Sequence, residues 1–226
     1  MYQKFFDSNR QSVMRKYFLN EASKLGQIRK YKKRELIDIN LESYVAIVVK
    51  GVVTQSVISL KGHEKILYLI RPGEIFGEMV YFCGGPDSIV ARAKVDSEVS
   101  IINRDVLEQE LSKHPEIYRH FIHSITRKFR IVMLQLTNTT FNDSVGRIAD
   151  ALLRLSSCEN DDSRKGKILN MVFTHQELAY NIGCSRITVT KCLNEFEKRN
   201  IIGYENKRII INKPEELEKY IDVIEE

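Results

Sequence analysis

Arg186 and Lys191 stand in the stretch SRITVTKCLNEFEKR, among the hydroxyls of Ser185, Thr188 and Thr190. A guanidinium can give two parallel hydrogen bonds to guanine, and hydroxyl and ammonium groups suit phosphate oxygens, so this mixture is chemistry for a nucleic acid. Upstream, Thr174 with Glu177 three positions on predicts a capping box, each side chain satisfying a backbone group of the other. The helix it opens ends near Asn181 to Gly183. Ser185 opens the next, with the box only partly present, and presents Ser185, Arg186, Thr188, Val189 and Lys191 in its first two turns before closing near Asn200. Two strand-like pieces, IIGYE and RIIIN, then flank Asn206 and Lys207 as a hairpin. Helix, short turn, helix and hairpin make a winged helix-turn-helix, whose second helix enters the major groove while the wing touches the backbone.

Charge supports this placement. The chain has 35 Lys and Arg against 30 Asp and Glu, a net charge of +5 that permits nucleic-acid binding without requiring it. Between Arg164 and Asn212 the basic residues are Arg164, Lys165, Lys167, Arg186, Lys191, Lys198, Arg199, Lys207 and Arg208. The acids are only Glu177, Glu195, Glu197 and Glu205, whereas the tail EELEKYIDVIEE is acidic and reads as a closing helix. Enzymatic signatures are missing: there is no phosphate-binding lysine loop, no GxSxG elbow and no GxGxxG. His63 and Glu64 lack the HxH partner that a metal-dependent oxygenase would need. A second reading is a ligand-binding protein whose helical domain contacts protein instead of DNA, distinguishable by the salt dependence of DNA binding.

The elements that position these residues follow from the rest of the 226 residues, enough for about two domains. From Ile28 to Ile102 the pattern is short apolar runs, YVAIVVKG, VVTQSVISLKG, HEKILYLIRPGEIFGE and SIVARAKVDSEVSII, separated by glycines at 51, 62, 73, 77, 84 and 85. Such runs predict an all-β domain, a small antiparallel barrel or jelly roll. After Arg104 apolar residues recur at Ile117, Phe121, Ile125, Phe129 (or Ile122), Val132 and Leu136, the spacing of one long helix starting near Pro115 with a stripe that wants a partner. A second helix is predicted over 144–156, then the polar loop SSCENDDSRKGK and a strand ILNMVF. The longest aliphatic stretch, Val45 to Val49, is far below the roughly 20 residues of a membrane helix. The start MYQKFFDSNRQ has no secretory core, so a cytoplasmic protein without membrane contact is expected. Cys83, Cys158, Cys184 and Cys192 form no CxxC pair, which argues against structural zinc and a disulfide framework.

Taken together, the stretch THQELAYNIGCSRITVTKCLNEFEKRNII closely resembles the DNA-binding helix pair of the Crp/Fnr family of bacterial transcription regulators. The segment DSVGRIADALLRLS resembles that family's hinge and first DNA-domain helix, and RPGEIFGEMVYF its cyclic-nucleotide-binding-like β-roll. The resemblance implies an α+β chain: a jelly-roll or β-roll sensor domain over 1–114, a long dimerisation helix and hinge over 115–141, and a winged helix-turn-helix over 142–226. It implies a homodimer seamed by Phe121, Ile125, Phe129, Val132 and Leu136, and a palindromic double-stranded operator with half-sites about 34 Å apart. RNA polymerase is a further candidate partner. Thr174 and Gln176 match phosphate-contacting positions, and Arg186 and Lys191 basic contacting ones, with Ser185, Thr188 and Thr190 beside them. The family's frequent glutamate after the first arginine is Ile187 here, which exchanges an acceptor for cytosine for an apolar group suited to a thymine methyl.

The signal is read less directly. In cyclic-nucleotide receptors of this type a Gly-Glu pair and an Arg-Ser pair hold the phosphate and ribose. Gly77 and Glu78 match the first pair, but Asp87 stands where the arginine belongs, followed by Ser88, and Val132 and Met133 replace the hydroxyls that meet the purine. Cyclic AMP is therefore not the expected effector. The candidate effector residues are Gly77, Glu78, Ser88, Arg92, Phe129, Val132 and Met133, with Arg92 reaching an anion from a shifted position. An iron-sulfur cluster needs several cysteines near the N-terminus, and the first here is Cys83, whose own reading as a redox group is the minority one. His120 and His123 have i, i+3 spacing for a metal, and His63 could ligate haem. Haem or a small organic effector is left open.

Overall fold

The computed structural model describes residues 6–38, 43–85, 88–157, 167–169 and 171–222. The chain divides into two compact units, Asp7–Ile131 and Val132–Glu226, the second also taking in Phe6.

The first unit opens with helix α1 (Ser8–Asn20), capped by Asp7 Oδ1, which accepts from Arg10 N at 3.0 Å. Its sequence is too polar to announce it, yet Met14 and Phe18 are buried. Strands β1 (Gln27–Tyr31), β2 (Tyr44–Lys50), β3 (Val53–Ile58), β4 (Glu64–Ile70) and β5 (Ile75–Phe76) follow. Helix α2 (Glu78–Cys83), β6 (Ile89–Ala93), β7 (Ser97–Asn103) and helix α3 (Arg104–Lys113) complete the roll. Two antiparallel sheets result, in the orders β1-β7-β2-β5 and β4-β3-β6. The expected all-β domain is thus a β-roll that carries three helices.

Ala46, Val48, Phe76, Val99 and Ile101 of one sheet pack with Val53, Ile70, Ala91 and Ala93 of the other. Val45, Ile47 and Ile102, on the opposite face of the first sheet, pack with Met14, Phe18, Leu107, Leu111 and Phe121. Strand β2 is buried on both faces, which is why YVAIVV is a continuous apolar run instead of an alternating one. Edge strand β1 is exposed at Arg29 and Lys30 and leads into Lys32, Lys33 and Arg34, cations that discourage pairing with a further strand. At Gly73 (φ 77°) a Cβ would stand 2.5 Å from Arg15 O, so α1 can approach this turn only over glycine.

Helix α4 (Tyr118–Phe141) follows a single turn over Pro115–Ile117 and is continuous for 24 residues, about 36 Å. The second unit adds helix α5 (Ser144–Ser157), strand β8 (Lys167–Ile168), helices α6 (His175–Ile182) and α7 (Arg186–Lys198), strands β9 (Ile202–Glu205) and β10 (Arg208–Ile211), and helix α8 (Pro214–Glu218). Its core is Ile148, Leu152, Leu178, Val189, Leu193, Phe196 and Leu217. Of the predicted strand ILNMVF only its first residue is in β8, and Cys158 with most of the polar loop lies outside the described residues.

Candidate nucleic-acid interface and effector site

The capping box is present as the sequence predicts: Glu177 N donates to Thr174 Oγ1 at 3.1 Å and Thr174 N to Glu177 Oε2 at 2.7 Å. The Thr174 hydroxyl also donates to Glu177 Oε2 at 3.0 Å, so its one proton is committed within the cap. Gly183, with φ 78°, closes α6 in the left-handed conformation and turns the chain. Ser185 then caps α7, accepting from Thr188 N at 3.0 Å. The Ser185 and Thr188 hydroxyls lie 2.8 Å apart. Thr190 Oγ1 donates to Arg186 O at 3.0 Å and therefore accepts from His175 Nδ1 at 2.8 Å, latching α7 to α6 and placing the imidazole proton on Nδ1.

What remains turned outward is a short series. Arg186, Ile187 and Lys191 are exposed, Ile187 at 68%, while Gln176 is half-buried at the start of α6. Val189, which the sequence placed among the presented residues, is 0% exposed and belongs to the core. The wing is as expected: Asn206 (φ 49°) and Lys207 (φ 65°) form a two-residue hairpin with both central residues left-handed, and Lys207 and Arg208 are exposed.

The hinge brings in residues the sequence did not single out. Asp143 Oδ1 caps α5, accepting from Val145 N at 2.9 Å and Gly146 N at 2.8 Å. Asn142, at the end of α4, donates to Asp222 O at 3.1 Å and accepts from Asp222 N at 2.7 Å, so the tail, read from the sequence as a closing helix, staples the hinge. Tyr220, two residues earlier, packs on Phe196 with ring centroids 5.3 Å apart.

In the first unit Gly77 has φ 89° and begins α2, which turns Glu78 inward to 5% exposure. Glu78 Oε1 accepts from Lys128 Nζ at 2.6 Å, and the same ammonium donates to Ile75 O at 2.8 Å and lies 5.5 Å from the Tyr68 ring centroid. Lys128 escaped the sequence reading because it sits within the helical stripe of α4 that hydropathy disfavours. Within this unit Ser88, Arg92 and Phe129 do not gather here. Arg92 alternates with the inward Ala91 and Ala93 and donates to Arg34 O at 3.1 Å; Ser88 is exposed, and Phe129 is 64% exposed. Val132 and Met133 belong to the second unit, and Asp87 lies outside the described residues.

The buried side of α4 is Phe121, Ser124, Lys128, Ile131 and Gln135, and the exposed side is Ile122, Ile125, Phe129, Met133 and Leu136. Two expected seam residues are corrected. Phe121 is 2% exposed and packs edge-on to Phe18 at 5.1 Å, and Val132 is half-buried; Ile122 and Met133 take their places on the outward stripe.

The histidines and cysteines are placed as follows. His120 stacks on Tyr17 at 4.7 Å and His123 Nε2 lies 3.0 Å from Gln11 Oε1, both engaged with α1; burial holds each below the usual imidazole range. Exposed His63 is in the β3–β4 turn. Cys83 is exposed, and burial pushes the Cys192 thiol up to about 12. Among the described residues no helix is long and apolar enough to cross a membrane.

Comparison with known proteins converges with this geometry. Residues 28–114 match a cyclic nucleotide-binding domain and residues 146–220 a Crp-like helix-turn-helix domain. A CRP-like cAMP-activated global transcriptional regulator of Mycobacterium tuberculosis is 30% identical over 158 residues, 69% of this chain and 70% of that protein. FixK2 from Bradyrhizobium japonicum superposes with a TM-score of 0.75 at 19% identity, covering 88% of this chain and 99% of that one. A CRP/FNR-family transcriptional regulator from Thermus thermophilus gives a TM-score of 0.67 at 22% identity, over 86% and 97%. The chain belongs to the Crp/Fnr family: it is a DNA-binding transcriptional regulator, not an enzyme.

Proposed function

We propose that the protein is a homodimer that reads a palindromic operator through α7 and answers to a small-molecule or redox signal at the β-roll, other than cyclic AMP. The observation that carries the reading is the outward series Arg186, Ile187 and Lys191 on a helix whose first turn is held by Ser185 and Thr188. Arg186 suits a guanine edge, Ile187 a thymine methyl, and Lys191, Lys207 and Arg208 phosphate oxygens. Ser185, Thr188 and Gln176 supply further polar contacts, whereas Thr174 and Thr190 serve the readers by fixing the ends and spacing of the two helices.

The dimer reading rests on α4. Its exposed stripe is apolar and its buried stripe contains a lysine, a glutamine and a serine, the reverse of what a helix packed only on its own subunit would show. A second copy of the same stripe removes this surface from water. Against cyclic AMP stand Asp87 in place of the cradle arginine and Val132 and Met133 in place of the hydroxyls. The related mycobacterial regulator is described as cAMP-activated. In our reading that property does not transfer.

The test is selection of bound fragments from a pool of genomic DNA by the ligand-free protein at physiological salt, followed by sequencing. Enrichment of a palindrome with thymine under Ile187 is the expected result. Retention without enrichment would remove sequence-specific reading by the ligand-free protein.

A further inference from the structure

Gln55 on β3 lies opposite Tyr68 of β4 and Ala91 of β6 at one register position, on the face that Val53, Ile70 and Ala93 continue into the core between the sheets. Gln55 is 4% exposed, and its Oε1 has no hydrogen-bond partner. Glu78 spends Oε1 on Lys128, and its Oε2 is likewise buried without a partner. Tyr68 joins the two groups: it neighbours Gln55 across the strands and lies under the Lys128 ammonium. Burial, reinforced by the Glu78 charge, pushes its phenol up to about 12, so it stays a neutral hydroxyl. The roll interior therefore holds two acceptors that lack donors, and leaving them so costs free energy.

We propose that the β-roll binds a small, uncharged, hydroxyl-rich organic molecule whose hydroxyls donate to Gln55 Oε1 and Glu78 Oε2. This rests on the reading of the roll as the sensor and names the class of its effector. Charge decides the class. Glu78 and Lys128 cancel, and Gln55 and Tyr68 are neutral, so a charged ligand would enter without a counter-charge. Lys128 has three N–H donors. Two go to Ile75 O and Glu78 Oε1, and its charge sits over the Tyr68 ring, so this ammonium is already engaged within the roll. Arg92 is directed to the other side of β6.

The test is equilibrium dialysis of the full-length protein against a bacterial metabolite extract, with mass spectrometry of what is retained. The expected result is at least tenfold enrichment of an uncharged compound bearing several hydroxyls, lost in Gln55→Leu and in Glu78→Gln. Gln55→Leu removes an unsatisfied acceptor from an apolar interior, so it should fold with a melting temperature no lower than that of the parent. Enrichment of a nucleotide or other anion would overturn the class while leaving the roll a sensor. Retention unaffected by Gln55→Leu, or no retention, would overturn the site, the two acceptors then being satisfied by water alone. Palindrome selection by the same preparation shows separately whether the regulator reading stands.

Discussion

Arg154 Nη2 donates to Asn181 Oδ1 across 2.9 Å, with both side chains buried, and this contact ties α5 to the first helix of the DNA-reading pair. The tie continues toward the long helix. Asp150 Oδ2 is 3.9 Å from Arg154 Nε, one turn earlier on α5, and accepts from Asn138 Nδ2 of α4 at 2.7 Å. Four polar residues thus connect the end of α4 to α6 through the interior of one unit. Such a chain transmits geometry because each member is held by its neighbours, and a buried charge that loses a partner is expensive.

Asn181→Leu should accordingly destabilise the protein by about 3 kcal/mol, because it takes an acceptor from a buried guanidinium and returns none. Urea unfolding monitored on the DNA-binding unit measures this as a lower midpoint with unchanged slope. An unmoved midpoint would show that the Arg154–Asn181 contact contributes no net stability.

Asp150 sets a pH dependence. Burial pushes its carboxyl up to about 6, against the pull of Arg154. The folded protein therefore holds this proton more tightly than the unfolded chain does. The group's favourable contribution is complete below about pH 4, the range of an unperturbed aspartate, and is lost as pH rises through about 6. Glu74 acts in the opposite sense. Burial opposes its ionisation, yet Arg127, Arg15 and the hydrogen bonds from Arg15 and Arg71 hold its carboxyl below the usual range. Its contribution is lost as pH falls. Only a difference isolates Asp150, so the stability of Asp150→Asn relative to the parent should rise between about pH 4 and 6 and level off above. A pH-independent difference would remove Asp150 as the titrating group.

Much of the reading unit was legible because its signals are local. Thr174 with Glu177, Gly183, Ser185 and the Asn206–Lys207 turn each need only their immediate neighbours to fold as they do, and helices 144–157, 175–182 and 186–198 fall close to where spacing put them. What escaped depends on contacts distant in sequence. Helix α1 is stabilised by Met14 and Phe18 in a core with β2 and α3 and by Gln11 and Arg15 at Glu74, none visible in SNRQSVMRKYFLN itself. Lys128 was passed over because a lysine reads as surface until Glu78 is found against it. The same limit misassigned Phe121 and Val132 on α4, though Ile125, Phe129 and Leu136 lie outward as expected: apolar periodicity reveals a stripe but not whether core or partner covers each residue.

Arg186→Ala should weaken binding to the selected operator by about 1–3 kcal/mol while changing non-specific DNA binding much less. Ile187→Glu is the complementary change: it supplies an acceptor for cytosine N4 where an apolar group faced a thymine methyl, and should exchange the preferred base at that position. Competition binding with operators altered only there reads both. An equal loss on every sequence would make Arg186 a phosphate contact.

The two faces of α4 give the last prediction, because Phe121 and Phe129 are two turns apart, the first buried and the second exposed. Phe121, 2% exposed among Phe18 and Phe82, should behave as a core residue, and its replacement by alanine should cost about 3–5 kcal/mol of stability. Phe129 is 64% exposed in the single chain, so Phe129→Glu removes nothing from that core. In a dimer seamed by Ile122, Ile125, Phe129, Met133 and Leu136, however, the substitution faces two carboxylates across an apolar interface. Sedimentation should then find Phe129→Glu folded but monomeric, with operator affinity reduced because two linked half-site contacts become one. A Phe129→Glu protein that sedimented as a dimer would place the seam elsewhere, and a Phe121→Ala protein of parental stability would contradict the packing of α4 on the roll.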